Sequence, residues 1–384
     1  MFSSRLPGVL EENAVTRARV RLRTAGTPVI DLTETNPTEV GLPYPADLHA
    51  MLASSAALTY SPEPLGRPSA REAVSREYAR QGAAVPADRI VLTASTSEAY
   101  SLLFKLLCDA GDEVLIPQPS YPLFDVLSRL DNVTTVPYAL HMHSGWSLDR
   151  ASIEHALSPR TRAVLVVSPN NPTGSIISND DAQWLAALGA TRSIAIIADE
   201  VFADYVFSER GTGAPRRRGD DTLHFSLGGL SKSAGLPQMK LGWIAVSGPD
   251  RLVAEALSKL ELICDTYLNV ATPVQVAAAS LIEAGASIRA EIRARVSTNL
   301  ATCRALAATR ADITMLEPDA GWCVVLQVPA TESEEHMVLR LLEARHVLVH
   351  PGYFFDFPTE AFLVLSLLPA PDVFAEGVSR VIRG

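Results

Sequence analysis

Short apolar runs rich in Val, Ile and Leu recur through the body of the chain, separated by Ala- and Leu-rich stretches of helix length. They fall at residues 90–93, 113–116, 163–167, 194–198 and 242–246. None alternates apolar with polar positions, so each predicts a strand covered on both faces. The set predicts a mostly parallel sheet with helices on either side. The expected architecture is α/β, with a large doubly wound domain. Ligands of such sheets lie beyond the carboxyl ends of the strands, where Asn171 and Asp199 fall.

From about residue 271 the texture changes to Ala/Arg/Glu-rich helical sequence, followed by apolar runs at 321–328, 347–349 and 362–365. These predict a smaller α+β domain. The chain thus divides into an N-terminal arm, residues 1–40, that joins the small domain; a large domain, 41–275; and a C-terminal small domain, 276–384. No internal repeat interrupts this plan. Residues 211–221 carry Arg216, Arg217 and Arg218 among Gly and Pro, which reads as a solvated loop, with substrate gating as the alternative.

Composition narrows the function. At 47% hydrophobic and 20% charged residues over 384 positions, the chain is an ordinary globular protein with room for more than one domain. Its formal net charge of −10 argues against nucleic acid or an anionic membrane as the main partner, leaving small-molecule chemistry. Cys108, Cys264, Cys303 and Cys323 lack CxxC spacing, so neither a disulfide framework nor a zinc site is expected. His141 and His143 alternate as strand residues facing one side do, and no metal is expected there. Arg5, Pro7, Glu11 and Glu12 break up any signal-peptide apolar region, and no apolar run is long enough to span a bilayer. A cytoplasmic enzyme is the expectation.

Lys232 stands in Leu227-Gly228-Gly229-Leu230-Ser231-Lys232-Ser233-Ala234-Gly235-Leu236-Pro237, between a small-residue turn and a Gly-Leu-Pro breaker. That context suits an amine held at a fixed point, able to form a Schiff base with an aldehyde cofactor. Upstream, Ser168-Pro169-Asn170-Asn171-Pro172-Thr173-Gly174 ends one apolar strand and Asp199-Glu200 ends another. Together the three segments resemble the fold-type-I pyridoxal-phosphate (PLP) enzymes, specifically the class I/II aminotransferases. The resemblance spans nearly the whole chain, from Ile30-Asp31-Leu32 to the last helix.

The resemblance implies a role for each candidate. Lys232, with Ser231 beside it, would hold the cofactor aldehyde and carry the proton between substrate and cofactor carbons, which requires a lowered pKa. Asp199 would pair with the pyridine nitrogen, although a helix N-cap aspartate fits the same local pattern. Asn171 would donate to the phenolic oxygen, and Tyr121 would stack on the ring unless it is a core tyrosine. Ser95, Thr96 and Ser97 follow a strand and open a helix near Glu98, a natural anion site for the phosphate. An N-cap serine without a ligand reads the same way. Lys240 stands where the family usually has a phosphate-binding arginine and lacks the bidentate fork. Tyr60 resembles the tyrosine that reaches the phosphate across a dimer interface, implying a homodimer with shared active sites.

Four further positions depart from the family pattern. The Ser/Thr-rich turn lacks its usual glycine. Phe202 replaces a tyrosine that adds a hydrogen bond to the phenolic oxygen, a loss that raises the Schiff-base pKa. Thr35, beside Asn36, stands where glycine borders the substrate and narrows the pocket. Val364 occupies the place of the arginine that grips the substrate carboxylate, and a buried carboxylate without a cation costs several kcal/mol. Arg67 and His350 are candidate substitutes. If Val364 is the specificity device, restoring arginine there is expected to improve use of simple α-amino acids, and no gain would mean the carboxylate is handled elsewhere. The implied activity is a PLP-dependent aminotransferase moving nitrogen between an amine or amino-acid donor and a keto or aldehyde acceptor, with atypical carboxylate recognition. A PLP-dependent lyase, decarboxylase or oxidase on the same scaffold is the alternative.

Overall fold

The computed structural model describes residues 2–7, 11–142, 145–207, 221–268 and 270–383. His143 and residues 211–220 of the Arg-rich segment lie outside the described residues. The chain begins with α1 (Ala14–Thr24), β1 (Ile30–Asp31) and α2 (Pro68–Arg80). It continues through β2 (Ile90–Thr93), α3 (Thr96–Leu107), β3 (Glu113–Gln118), α4 (Phe124–Leu130), β4 (Thr134–Met142) and β5 (Trp146–Leu148). Next come α5 (Arg150–Ala156), β6 (Thr161–Val167), α6 (Asn179–Arg192), β7 (Ala195–Asp199), β8 (His224–Gly229), α7 (Leu230–Ser233) and β9 (Gly242–Ser247). The remainder comprises α8 (Asp250–Tyr267), α9 (Thr272–Ala307), β10 (Thr314–Leu316), β11 (Cys323–Gln327), α10 (Glu334–Arg345), β12 (Val347–Leu348), β13 (His350–Pro351), β14 (Phe362–Ser366) and α11 (Pro371–Arg383).

Strands β2-β9-β8-β7-β6-β3-β4-β5 form one sheet in that order. The β3/β4, β3/β6, β6/β7 and β7/β8 pairs are parallel. The continuous apolar runs still obey the two-residue period of a strand. Ala163, Leu165 and Val167 of β6 pack with α3, α4 and α8, whereas Val164 and Val166 face the side holding Ile153 of α5 and Leu185 of α6. Both faces are covered, so every strand position can be apolar. The architecture is the expected α/β one.

Two local readings change. Strand β9 runs antiparallel to both neighbours, β2 and β8, because the segment joining β8 to β9 is a direct reversal with no crossover helix. Gly228 and Gly229 belong to β8 and do not form a turn. A Cβ on Gly228 would sit 2.4 Å from Trp243 Nε1, and one on Gly229 would sit 3.2 Å from Gly242 Cα. Their glycines therefore serve the close approach of β8 and β9, and Lys232 rides on the short helix α7 that follows.

The second sheet has the order β10-β11-β14-β13, all antiparallel, and β1 pairs in parallel with β12. Helix α9 links the two regions over 36 residues. Its buried positions Leu281, Ile288, Ile292, Val296, Leu300 and Cys303 recur at helical spacing and join one core with α2, β9 and α11. Each such apolar side chain contributes about 1.5–3 kcal/mol on burial.

Candidate active site

The parallel strands bring their carboxyl ends to one edge, and the candidate residues collect there. Asp199 is the last residue of β7, Lys232 follows β8 on α7, Asn171 follows β6, Tyr121 follows β3, and Ser95 follows β2. The order in sequence is unrelated to the order across the sheet, so the topology assembles the site.

Asp199 is buried. Its Oδ2 accepts a hydrogen bond from the Tyr100 hydroxyl at 2.6 Å and its Oδ1 accepts from the Val201 N–H at 3.1 Å. Burial raises its carboxyl pKa above the usual range, and these two hydrogen bonds pull it back down. Burial and the nearby carboxylate push the Tyr100 phenol well up, keeping it a donor. Tyr100 was not visible as a site residue in the sequence. Its spacing of four from Thr96 on α3 was the available signal, since it puts Tyr100 on the helix face above the strand ends.

Lys232 Nζ lies 4.9 Å from the centroid of the Trp322 ring and 5.8 Å from that of Phe202. Burial lowers its pKa, with Cys323 and Asp199 acting in the opposite direction. The backbone beneath it is anchored on both sides. Tyr205 donates its hydroxyl to the Lys232 carbonyl at 2.6 Å, and Arg289 Nη1 donates to the Ser233 carbonyl at 3.0 Å. Buried Arg289 also pairs with Glu77 at 3.0 Å and lies 3.7 Å from Asp204. Ser231 precedes Lys232 on α7 and is partly exposed.

Asn171 begins the turn after β6, and Cys323 Sγ donates to its Oδ1 across 3.7 Å. Asn170 supports that turn: its Oδ1 accepts from the Thr173 hydroxyl at 2.9 Å, and its Nδ2 donates to the Pro119 carbonyl at 3.4 Å. Gly174 ends the motif at φ +70°, where a Cβ would stand 2.4 Å from the Ala320 carbonyl oxygen. The Ala320 N–H donates to the Gly174 carbonyl at 2.9 Å, and the Gly321 N–H to that of Tyr205 at 2.9 Å. These contacts carry Trp322 and Cys323 from the start of β11 to Lys232 and Asn171. Neither residue bore a motif that would have marked it.

Tyr121 is 42% exposed and stands edge-on to Phe124 with ring centroids 6.3 Å apart. Its phenol pKa is raised by burial and by Asp199. Helix α3 starts at Thr96, two positions earlier than expected, with Ser95 as its N-cap accepting from Glu98 N–H. Glu98 Oε2 accepts in return from the Ala94 N–H at 2.5 Å. The Ser95 hydroxyl proton and the first amides of the helix, at Thr96 and Ser97, stay available to an anion. Gly242 lets β9 press against this turn, since a Cβ there would lie 3.1 Å from the Ser95 carbonyl carbon. Lys240 is exposed at φ +50°, just before β9, and forms no ion pair with a described residue.

The remaining candidates separate. Tyr60 is 72% exposed and borders a surface hollow with Glu98, Tyr267 and Gln275. Arg67 is the N-cap of α2, and its backbone N–H donates to Gln275 Oε1 at 2.7 Å. Thr35 is exposed, tethered by the Ser366 hydroxyl, which donates to the Glu34 carbonyl at 2.5 Å. Asn36 spends its Oδ1 on Thr38, capping a short turn. His350 is the register partner of Val364, packed edge-on against Phe354 and Phe355, and burial lowers its pKa toward the neutral imidazole. Val364 itself is 1% exposed and packed in one cluster with Cys323, Val325, Phe355, Phe357 and Phe362. His141 meets an acid that spacing did not show, Asp149 at 2.8 Å; no group able to hold a metal occurs among the described residues.

This arrangement fits PLP. Among the described residues the hydrogen-bond donors to the buried Asp199 carboxylate are neutral, so a protonated ring nitrogen would supply a cation there. An amine with lowered pKa stands near it, and the N-terminus of α3, capped by Ser95, is aimed at the same edge.

The chain belongs to the class I and II aminotransferases: the profile of that family, aminotransferase class I and II, matches residues 27–372. Alanine aminotransferase of Mycobacterium tuberculosis is 28% identical over 398 residues, covering 99% of this chain and 91% of the relative. Glutamate-pyruvate aminotransferase of Escherichia coli is 25% identical over 392 residues, covering 99% and 96%. Among solved structures, alanine aminotransferase from Pyrococcus furiosus superposes with a TM-score of 0.89 at 22% identity, over 100% of this chain and 99% of that one. The protein is a PLP-dependent aminotransferase of fold type I. The lyase, decarboxylase and oxidase alternatives are not favoured.

Proposed function

We propose that this aminotransferase works through Lys232 and Asp199, on amino-acid and keto-acid substrates whose carboxylate does not dock at Val364. The observation that carries the reading is the Lys232 amine, lowered in pKa between Trp322 and Phe202 with Asp199 nearby. When bound, PLP supplies an aldehyde that captures amines and a ring that accepts electrons from the cleaved C–H bond. Lys232 Nζ would hold the aldehyde and would carry a proton at the substrate carbon. Asp199 would keep the ring nitrogen protonated, with Tyr100 fixing its carboxylate. Asn171 would donate to the phenolic oxygen, Tyr121 would pack on the ring, and Ser95, Thr96, Ser97 and Lys240 would receive the phosphate.

At Val364 the wall is closed and apolar. His350 opposite offers a neutral donor and no charge at neutral pH, so the carboxylate is received elsewhere. The relatives' names, alanine and glutamate-pyruvate aminotransferase, support small amino acids as donors.

The active unit is a homodimer in this reading. Support comes from Leu58, Tyr60 and Tyr267, which are 88%, 72% and 52% exposed. The N-terminal arm, residues 1–40, belongs to a small domain with residues 276–384, beside a large domain of 41–275, a division supported by the β1/β12 pairing. A cytoplasmic location is part of this reading, supported by the free thiols Cys108, Cys264, Cys303 and Cys323. No described helix is long and apolar enough to cross a membrane.

The test is a panel of amino acids and simple amines mixed with the holoenzyme while its visible spectrum is recorded. Donors that convert the cofactor to its amino form, with release of the keto product, are expected. Ammonia, carbon dioxide or peroxide in place of that conversion would overturn the reading.

A further inference from the structure

We propose that Cys323 is the positioning residue for Asn171: its thiol holds Oδ1 so that Nδ2 is left to donate to the cofactor. This rests on the role given to Asn171 above. The Cys323 side chain is buried, and its Sγ reaches Asn171 Oδ1 across 3.7 Å, a normal separation for a sulfur donor. Burial pushes the thiol up to about 12, so at neutral pH it is an S–H group able to donate.

Geometry makes that weak bond consequential. The two ends of a planar amide diverge from one carbon, so a partner on Oδ1 dictates where Nδ2 points. The flipped amide would turn Nδ2 to the sulfur and present Oδ1 to an oxygen acceptor, setting two acceptors face to face. Asn171 is itself partly exposed, and without the thiol its amide is free to flip or to bond water.

Two features raise the demand on this amide. Phe202, at the place of the family's second donor, has no hydroxyl. The Tyr205 hydroxyl, three residues on, is committed to the Lys232 carbonyl at 2.6 Å. Meanwhile the thiol cannot wander. Cys323 is fixed by its register with Ser366 in β14, and the preceding Ala320–Gly321 turn is bonded to Gly174 and Tyr205. The same residue lies near Lys232, whose charge is felt at the sulfur. Cys323 therefore ties the small sheet to the amide on which the electronic state of the cofactor depends.

The experiment is a pH titration of the visible band of the holoenzyme for Cys323→Ala, Cys323→Ser, Asn171→Ala and the Cys323→Ala/Asn171→Ala pair. Cys323→Ala is expected to raise the midpoint by about half to one pH unit, the equivalent of one neutral hydrogen bond. Cys323→Ser retains a donor and is expected to stay close to the parent. In the Asn171→Ala background, Cys323→Ala is expected to add nothing. A second readout is the PLP dissociation constant of the apoenzyme, expected to weaken by about two- to tenfold in Cys323→Ala and by less than about twofold in Cys323→Ser. Equal shifts for Ala and Ser, or a Cys323 effect that persists without the Asn171 amide, would overturn the proposal. So would an unmoved midpoint and affinity in Cys323→Ala while Asn171→Ala shifts them. An unmoved midpoint in Asn171→Ala defeats the underlying role of Asn171, an outcome distinct from failure of Cys323 alone.

Discussion

The two walls that meet at Lys232 are built on opposite physical terms. On the large-sheet side, charge is buried and restrained: Asp199 by Tyr100 and Val201, and the α7 backbone by Tyr205 and by Arg289, itself paired with Glu77. On the β14 side apolar packing dominates around Val364, with the buried Glu334 carboxylate accepting from the Phe362 N–H at 2.8 Å at the edge of the cluster. Val364 is sealed among Cys323, Val325 and three phenylalanines, and Trp146 stands edge-on to Phe357 at 5.8 Å. A polar wall of that kind fixes chemistry, because each group has a direction and an energetic cost if left unpaired. The apolar wall fixes shape. The cofactor side is thus read from hydrogen-bond partners, and the substrate side from volume.

The largest effect that probes this contrast is removal of the amine. Lys232→Ala should slow the amino-acid half-reaction by about 10²–10⁴-fold and abolish borohydride-trapped attachment of PLP, seen by intact mass. Retained attachment would place the reactive amine elsewhere. Arg289→Met should destabilise the fold by about 1.5–3 kcal/mol in denaturant titration, because Glu77, Asp204 and the Ser233 carbonyl lose a buried charged donor while Arg80 still pairs with both acids. A change under about 1 kcal/mol would mean the network is replaceable by packing.

Val364→Arg sharpens the other wall. At 1% exposure, packed among Phe355, Phe357 and Phe362, the position argues against an accommodated guanidinium and so against improved α-amino-acid use. Overpacking costs about 1–3 kcal/mol and the buried charge adds to it, with no gain in kcat/KM for alanine or glutamate. A gain without loss of stability would show that the wall opens.

The smallest effects are in pH dependence. Lys232 is lowered, so across the window between its folded value and the ordinary lysine value the unfolded chain binds a proton that the folded chain does not. Stability of the cofactor-free protein then rises with pH through that window, by at most about 1.4 kcal/mol per unit, and Lys232→Met should remove the slope. Asp199 is raised and contributes the opposite sign: stability falls as pH rises from the ordinary carboxylate range to its folded value, a slope that Asp199→Asn should erase.

Much of this was legible in the sequence where function is tied to local pattern. Strand ends beside Asn171, Asp199 and Ser95 were visible because a sheet buried on both faces leaves unbroken apolar runs. Gly228 and Gly229 misled because glycine marks close approach as well as turns, and only the pairing partner Trp243 distinguishes the two. Tyr100, Trp322, Cys323 and Arg289 stayed hidden because tertiary folding alone brings them to the site. The Tyr100–Asp199 bond spans 99 positions and the Cys323–Asn171 contact 152. Val364 was seen as a missing arginine, but its enclosure depends on Phe355, Phe357 and Phe362 arriving from a loop and strand whose meeting no short motif encodes.

Gly174 lets the Ala320 backbone nest against the Asn171 turn so closely that no side chain fits between them. The same stretch is clamped from a second side, by the Phe207 N–H to the Asp319 carbonyl at 2.8 Å and the Gly321 N–H to the Tyr205 carbonyl at 2.9 Å. Trp322 and Cys323 are therefore set relative to Lys232 and Asn171 by backbone contacts alone. Changes among the phenylalanines around Val364 would reshape the apolar wall without shifting those two side chains.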